Sequence, residues 1–305
     1  MSMIQVNQAS GGQPVELFYE DIGSGSPVIL IHGWPLTHAM WEYQLYPLTH
    51  NGHRVISYDR RGFGFSSKPA DGYDYNTLAD DLRGLIDGLG LDNVTLVGFS
   101  MGGGEVARYM SRHGGHKVAR VAFISAVTPW LVKGPDNKDG VERKVFAKMY
   151  EDVQNDRFEF LGNFGKLFFG ESTLKSPVSK DTLQWGQMMA AMASPIATMK
   201  CIEAFSLTDF RQDLAAIQVP TLIIHGKADK VVPYEASSKW AAAMLPNAEC
   251  KVYDDGSHAI PITHKTQLNS DLLGFLSKTE GDLQMQEQPQ TLRSSSSVPP
   301  TTARH

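Results

Sequence analysis

The sequence predicts an α/β fold in which helices flank a mostly parallel sheet, and three observations support this prediction. Short apolar, β-branched runs alternate with segments of helical character, which is the pattern of βαβ units. These runs are continuously apolar rather than alternating, as expected of strands that are buried on both faces. Residues 130–214 interrupt the alternation with a stretch rich in Phe, Met and Trp, which indicates a helical cap inserted into the sheet.

The individual elements follow from the same two patterns. The predicted strands are residues 28–31, 54–58, 94–97, 118–124, 221–224 and 250–253, and the clearest predicted helices are residues 76–89, 102–113 and 234–245. In an open parallel sheet, ligands bind at the carboxyl ends of the strands. We therefore expect the functional residues in the loops that follow the predicted strands.

The alternation and its interruption also divide the chain. Residues 1–129 and 215–278 form the predicted core domain, and residues 130–214 form the predicted helical cap. From residue 279 the composition turns to Gln, Ser, Thr and Pro, with few large apolar residues. Such a segment cannot bury enough apolar surface to offset its loss of conformational entropy, so we predict a disordered tail over residues 279–305.

Composition argues against several classes of function. The formal net charge is -5 and the basic residues are scattered, so we expect no nucleic-acid partner. No window approaches 18 consecutive apolar residues, and the first ten residues lack the pattern of a secretory signal, so we expect no membrane association. Cys201 and Cys250 match neither a disulfide framework nor a metal spacing. We expect two reduced, buried thiols in a cytoplasmic protein.

The strongest functional motif is the segment Gly98-Phe99-Ser100-Met101-Gly102, which matches G-x-S-x-G. It follows an apolar strand and opens a helix, which is the context that this motif requires. A serine hydroxyl is a weak nucleophile unless it is exposed on a sharp turn beside a general base. Glycines that flank such a turn let the strand and the helix approach closely. We therefore predict that Ser100 is a catalytic nucleophile.

Two downstream residues complete a predicted catalytic triad. Asp229 follows the strand at residues 221–224, and His258 follows the strand at residues 250–253. The chain order of serine, acid and histidine is the one that accompanies this nucleophile turn. His258 would act as general base and then as general acid, while Asp229 would orient its imidazole. Asp229 is favoured because it follows its strand most directly; the alternative acids are Asp209, Asp213, Asp254 and Asp255.

A second loop is expected to supply an oxyanion hole. The segment His32–Pro35 directly follows the first apolar strand. In proteins with this nucleophile turn, a loop at the end of a neighbouring strand supplies one backbone N–H donor to the oxyanion hole. The residue after the nucleophile supplies the other donor, so we assign the backbone N–H groups of Trp34 and Met101. We expect the His32 side chain to hold the loop by hydrogen bonds rather than to transfer protons.

Neither a metal nor a bound cofactor is predicted. No G-x-G-x-x-G motif opens a βαβ unit with an acidic residue following, which argues against a dinucleotide site. The remaining histidines up to residue 278 show none of the usual metal-ligand spacings; they are His38, His50, His53, His113, His116, His225 and His264.

Taken together, these motifs resemble the α/β-hydrolase superfamily. The narrower segments YDRRGFGFS, at residues 58–66, and GFSMGGGEVARY, at residues 98–109, are similar to those of arylesterases and cofactor-free bacterial haloperoxidases, also called perhydrolases. The likeness spans residues 3–277. It implies an α/β-hydrolase fold, ester hydrolysis through an acyl-enzyme, and a side activity that forms peracids from carboxylic acids and hydrogen peroxide. It also implies homo-oligomers.

The aromatic residues of the cap are candidates for the wall of a substrate pocket, and for each one the alternative is packing in the core of the cap. On the resemblance we favour Phe160 and Phe164, together with Val232, which follows Asp229. The wider set is Trp130, Phe146, Phe158, Phe160, Phe164, Phe168, Phe169 and Trp185. A pocket of this kind suits small esters with short acyl groups and aryl or small alkyl leaving groups. Two alternatives stay open at this point: an amidase or lactamase that uses the same triad, and a non-catalytic ligand receptor on the same scaffold.

Overall fold

Eight strands form one mixed sheet in the computed structural model, which describes residues 2–8, 12–245 and 247–278. The strands are β1 (Ser2–Gln8), β2 (Pro14–Ile22), β3 (Ser26–Ile31), β4 (His53–Tyr58), β5 (Val94–Phe99), β6 (Val118–Ile124), β7 (Thr221–Gly226) and β8 (Glu249–Tyr253). Their order across the sheet is β1-β2-β4-β3-β5-β6-β7-β8. β1 and β2 pair in antiparallel fashion, β2 is antiparallel to β4, and every later pairing is parallel.

Helices connect the strands and cover the sheet. They are α1 (Glu42–His50), α2 (Tyr75–Gly88), α3 (Met101–Arg112), α4 (Arg143–Phe169), α5 (Lys180–Ala191), α6 (Pro195–Leu207), α7 (Arg211–Ala215), α8 (Ser238–Met244), α9 (Ile260–Thr263) and α10 (Lys265–Leu276). Short 3₁₀ helices span His38–Trp41 and Tyr234–Ala236.

Both faces of the sheet are buried, as the continuous apolar runs predict. Successive side chains of a strand point to opposite faces, and β3 supplies one core on each side. Ile29 and Ile31 join the cluster that includes α2 and α3, whereas Val28 and Leu30 join the cluster that includes α1 and α10. The structure therefore confirms an α/β fold with helices on both faces of a mostly parallel sheet.

The differences from the sequence prediction have local causes. β1 and β2 were not predicted, because neither is a continuous apolar run: β1 reads SMIQVNQ, and β2 is half-buried with an alternating pattern. The predicted helix over residues 234–245 is wrong in its continuity. Ser237 leaves helical geometry at φ -132° and ψ -99°, and its hydroxyl donates to the carbonyl of Pro233 at 2.8 Å. A 3₁₀ turn and α8 lie on either side of this break.

Four helices, α4 to α7, lie between β6 and β7, so the helical character predicted for this stretch is present from Arg143 onward. α4 bends at Asp156, where φ is -149° and ψ is 91°. The Asp156 carboxylate accepts the N–H groups of Phe158 and Glu159 and thereby caps the second half of the helix. We propose that this insertion, residues 130–214, is a cap over the site. The tail predicted for residues 279–305 lies outside the described residues.

The two cysteines differ in their surroundings. Cys201 is buried in α6, whereas Cys250 is exposed on β8, and both are free thiols. The expectation that both are buried is therefore wrong for Cys250, because β8 is the edge strand and only its alternate residues are covered. Among the described helices, none combines the length and the apolar character needed to cross a bilayer.

A buried ion pair joins the loop after β4 to α3. Arg60 Nε donates to Glu105 Oε2 at 2.7 Å, and both side chains are buried. The other Glu105 oxygen accepts the Tyr58 hydroxyl. Arg60 Nη2 also donates to the His32 carbonyl at 2.8 Å. An unpaired charge in a protein interior is strongly destabilising, so removal of either partner is expected to destabilise the fold.

We expect Glu105→Leu to lower the free energy of unfolding by roughly 3–5 kcal/mol, because the Arg60 charge then stays buried without its carboxylate. Urea unfolding measures the change. Asp21→Asn is the control, since it breaks the partly exposed pair with Arg54 at 2.7 Å and is expected to cost about 1 kcal/mol or less. Equal losses in the two variants would show that burial of the Arg60–Glu105 pair carries no special weight.

Candidate active site

The predicted nucleophile occupies the sharp turn between β5 and α3. Ser100 has φ +53° and ψ -118°, which few residues with a side chain adopt. A Cβ on Gly98 would lie 2.5 Å from the carbonyl oxygen of Gly102, so the strand and the helix can approach this closely only with glycine at position 98. Ser100 N–H donates to the carbonyl of Ile124 at 2.9 Å. The turn is thereby held at the carboxyl end of the sheet.

The loops that follow β7 and β8 are joined directly to each other. A Cβ on Gly226 would collide with the backbone of Gly256, so the two chains touch at glycine. Ala228 N–H donates to the Gly256 carbonyl at 3.0 Å, and Lys227 N–H donates to the Tyr253 carbonyl at 2.8 Å. This contact brings the loop that carries Asp229 beside the loop that carries His258.

Ser100, His258 and Asp229 form one hydrogen-bonded line. His258 Nδ1 lies 2.6 Å from Asp229 Oδ2, and His258 Nε2 lies 2.9 Å from Ser100 Oγ. A carboxylate only accepts, so Nδ1 carries the hydrogen and Nε2 is left to accept the serine hydroxyl. The imidazole packs against the rings of Phe99 and Phe168, with centroids at 4.9 and 5.3 Å. The structure therefore brings the three predicted triad residues together.

Asp229 is held as a carboxylate. Its Oδ1 accepts the N–H groups of Val231 at 2.8 Å and Val232 at 2.9 Å. Burial alone would raise the pKa of Asp229, but the imidazoles of His258 and His225 outweigh burial and hold this pKa well below its usual range. The alternative acids are engaged elsewhere: Asp209 with Arg211, Asp213 with Arg108, Asp254 near Lys227 and Asp255 with His264.

The loop after β3 closes on the nucleophile. A Cβ on Gly33 would lie 2.7 Å from the Phe99 ring and 3.0 Å from Ser100 Cβ, so only glycine allows this approach. The Trp34 indole N–H donates to the Thr198 carbonyl of α6 at 3.0 Å and ties the loop to the cap. Within the described residues, the backbone N–H groups of Trp34 and Met101 donate to no protein acceptor. Both groups therefore remain available as hydrogen-bond donors.

His32 holds this loop as a neutral imidazole. Its Nδ1 donates to the Gly33 carbonyl at 2.8 Å, and its Nε2 accepts the Arg60 N–H at 3.0 Å. Burial and the Arg60 charge lower the pKa of His32 to about 3. Both ring nitrogens of His32 are occupied by these hydrogen bonds to the backbone, which is in keeping with a role in holding the loop.

Comparison with known proteins identifies the family. A family model described as the alpha/beta hydrolase fold matches residues 26–265. The chain belongs to this family. It is 41% identical over 266 residues to a non-heme chloroperoxidase of Kitasatospora aureofaciens (87% of this chain, 97% of that protein). It is 38% identical over 271 residues to a bifunctional esterase/perhydrolase of Acinetobacter calcoaceticus (86% and 96%).

The solved structures agree with the sequence relatives. The crystal structure of a bromoperoxidase from Bacillus anthracis is 47% identical and superposes with a TM-score of 0.86, covering 91% of this chain and 99% of that chain. The predicted resemblance to the haloperoxidase and perhydrolase group of α/β hydrolases is thereby confirmed.

The cavity of this α/β hydrolase has a volume of ≈ 450 Å³ and includes Ser100 in its lining. Phe160, Phe164 and Val232 all lie on its wall. Its other apolar lining residues include Trp34, Val127, Leu131, Phe146, Met149 and Phe205. Three acidic residues of α4 and one basic residue also contribute to the lining, namely Asp152, Asp156, Glu159 and Lys230.

Five members of the wider set of cap aromatics do not line the cavity: Trp130, Phe158, Phe168, Phe169 and Trp185. Phe158 faces solvent, and Phe168 and Phe169 pack into the core cluster on one face of the sheet. Phe205 of α6, which lies 5.4 Å from the Trp34 ring, was not predicted. Its only signal in the sequence is that it belongs to the aromatic-rich cap.

We expect the free energy of unfolding to decrease as the pH is lowered, because of His32. The unfolded chain takes up this proton near the ordinary value of 6.5, whereas the folded protein does so only at about 3. Below the ordinary value the unfolded state therefore binds more protons, and the free energy of unfolding decreases by about 1.4 kcal/mol per pH unit for this group. His32→Gln removes this titration.

Urea unfolding of both proteins at several pH values between about 4 and 6.5 measures the effect, because this window lies between the two pKa values. The variant should show a shallower decrease towards acid pH. If the free energy of unfolding changed with pH equally in the two proteins, His32 would bind its proton as readily in the folded protein as in the unfolded chain.

Proposed function

We propose that this α/β hydrolase cleaves small carboxylic esters through an acyl-enzyme on Ser100, with perhydrolysis as a second activity. The observation that carries the proposal is the hydrogen-bonded line from Asp229 through His258 to Ser100, which meets an apolar cavity at the serine. The similarity to a bifunctional esterase/perhydrolase supports it.

In the first half-reaction, Ser100 Oγ attacks the ester carbonyl carbon while His258 Nε2 takes the hydroxyl proton. The carbonyl electron pair moves to oxygen, and the N–H groups of Trp34 and Met101 stabilise this oxyanion. The intermediate collapses, the bond to the leaving alkoxide breaks, and His258 returns its proton to that oxygen. Asp229 remains a carboxylate throughout and stabilises the imidazolium.

In the second half-reaction, water attacks the acyl carbon and His258 takes its proton. The Ser100 oxygen leaves, recovers the proton from His258, and the carboxylic acid is released. Hydrogen peroxide in place of water forms a new C–O bond to the acyl carbon while the bond from that carbon to Ser100 Oγ breaks. His258 takes the peroxide proton and returns it to the serine oxygen, and the product is a peracid. A carboxylic acid forms the same acyl-enzyme by the reverse of the hydrolytic step, with water as the leaving group. The oxidising equivalent in that product is the O–O bond of hydrogen peroxide, so no bound redox cofactor takes part.

The cavity supports the choice of substrate class. A volume of ≈ 450 Å³ with walls of Phe, Trp and Val admits a short acyl group and an aryl or small alkyl leaving group. Hydrogen peroxide and short carboxylic acids are the proposed further substrates.

We also propose that the protein is a homo-oligomer, which the family resemblance supports and light scattering tests. We propose a cytoplasmic location, which the free thiols of Cys201 and Cys250 support and cell fractionation tests.

A fluorophosphonate probe should label Ser100. Ser100→Ala should lose both the label and the hydrolysis of p-nitrophenyl acetate, with turnover reduced by about 10³-fold or more. Ser125→Ala is the matched control, since Ser125 is also buried with a positive φ, at the end of the neighbouring strand. This control should keep label and activity, and labelling at Ser125 would overturn the assignment of the nucleophile.

The same variants separate the competing activities. Peracid formation from acetate and hydrogen peroxide should disappear in Ser100→Ala together with ester cleavage, because both pass through one acyl-enzyme. Peracid formation that survives in Ser100→Ala would contradict the perhydrolase half of the proposal. Faster turnover of amides or lactams than of esters would indicate an amidase, and labelling without any turnover would indicate a ligand receptor.

The cavity wall predicts a change in acyl specificity. Phe160→Ala removes a ring from the cavity, so the kcat/KM ratio of p-nitrophenyl octanoate to p-nitrophenyl acetate should rise by about fivefold or more. Phe158→Ala removes the same ring two residues away, where it is exposed to solvent, and should leave this ratio unchanged. Equal ratios in Phe160→Ala and the parent protein would exclude Phe160 from acyl recognition.

A further inference from the structure

A second histidine, besides His258, contacts the carboxylate of the triad acid. His225 lies near the end of β7 and is fully buried. Its Nε2 lies 2.9 Å from the Val232 carbonyl and 3.3 Å from Asp229 Oδ2. Its Nδ1 lies 2.7 Å from Ser238 Oγ. The three proposed triad roles use neither His225 nor Ser238.

The hydrogen positions of His225 follow from its neighbours. A carbonyl and a carboxylate can only accept hydrogen bonds, so Nε2 carries the hydrogen. Nδ1 of the neutral ring is then an acceptor, and the Ser238 hydroxyl donates to it. The result is a chain of five side chains in which two imidazoles face the same carboxylate oxygen; in order they are Ser238, His225, Asp229, His258 and Ser100.

We propose that His225 is a positioning residue for the triad acid and that Ser238 fixes the tautomer in which His225 acts. The inference rests on the proposed function, because it takes Asp229 as the group that orients His258. His225 touches neither the reacting atoms nor the substrate cavity, so its effect passes through Asp229.

Two features make this position effective. A buried carboxylate needs hydrogen-bond donors on both oxygens, and charge-assisted bonds are the strong ones. Backbone N–H groups hold Oδ1 of Asp229, while His258 and His225 share Oδ2. His225 also donates to the carbonyl of Val232, whose N–H is one of the donors to Oδ1. One ring therefore restrains both the carboxylate and the loop that holds it.

The spacing of His225 and Asp229 in the chain allows their side chains to meet. His225 and Asp229 are four residues apart, and the chain between them turns back because Asp229 N–H donates to the Gly226 carbonyl at 3.2 Å. This turn brings a side chain at the end of the strand against the carboxylate of the loop. The contact pairs an imidazole N–H with a carboxylate where both side chains are inaccessible to solvent.

The first test deletes one hydroxyl at a time. Ser238→Ala removes the donor to His225 Nδ1 and should lower kcat for p-nitrophenyl acetate by about 2- to 10-fold, with KM unchanged. Ser237→Ala is the matched control, because the neighbouring Ser237 hydroxyl donates to the Pro233 carbonyl and not to His225. A normal kcat in Ser238→Ala, or an equal loss in both variants, would overturn the role of Ser238.

The second test changes the ring itself. His225→Leu removes the donor to Asp229 and should lower kcat by about 10- to 100-fold without raising KM. His225→Gln offers an amide N–H at about the same reach and should recover most of this loss. Equal defects in the leucine and glutamine variants would mean that ring packing rather than N–H donation matters, and would refute the proposal.

The third test does not depend on activity and needs no variant at His225. NMR of the imidazole nitrogens should show His225 as the tautomer with hydrogen on Nε2, and the Nδ1–H signal of His258 should shift in Ser238→Ala but not in Ser237→Ala. An unshifted His258 signal would refute the coupling through Asp229. Absence of ester turnover in the parent protein together with the shift would instead refute the proposed function and leave the coupling between Ser238 and His258 established.

Discussion

The site depends on the close approach of α3 to the carboxyl ends of β3 and β5. A Cβ on Gly102 would lie 2.5 Å from the Ile31 carbonyl, and a Cβ on Gly98 would lie 2.5 Å from the Gly102 carbonyl. Any larger residue at either position would push the helix away from the sheet. The same displacement would separate Ser100 and the Met101 N–H from the loop that carries Trp34. The strained φ of Ser100 is maintained because this packing surrounds it.

Buried polar groups then fix the loops around that turn. The Arg60–Glu105 pair connects α3 to the loop after β4, and Arg60 and His32 together connect that loop to the one that carries Trp34. Each of these groups loses hydration when it is buried, and each recovers the loss through short hydrogen bonds. Donors held in this way need little reorganisation when an oxyanion forms, which is the physical basis of catalysis by a preformed site.

The sequence was most informative where backbone geometry dictates residue type. Ser100, Asp229 and His258 could be located because each follows a strand, and parallel strands end at one edge of the sheet. β2 was not predicted, because its alternating burial does not produce a continuous apolar run in the sequence. The pocket was harder to predict: Phe160, Phe164 and Phe168 recur at a spacing of four, yet the helix carries Phe168 past the cavity onto His258. No spacing rule revealed His225, because its contact with Asp229 depends on how the loop folds back.

Asp229 joins the structural and the chemical parts of the site, and this explains why an aspartate follows β7. Its Oδ1 accepts N–H groups two and three residues ahead, a local turn that the short aspartate side chain forms readily. That turn fixes the direction in which Oδ2 points, and Oδ2 in turn sets the tautomer of His258. A glutamate would move the carboxylate by one methylene, so its oxygens would no longer face the loop N–H groups and His258 at the distances seen here. The acid is therefore determined by the backbone of its own loop as much as by the histidine that it orients.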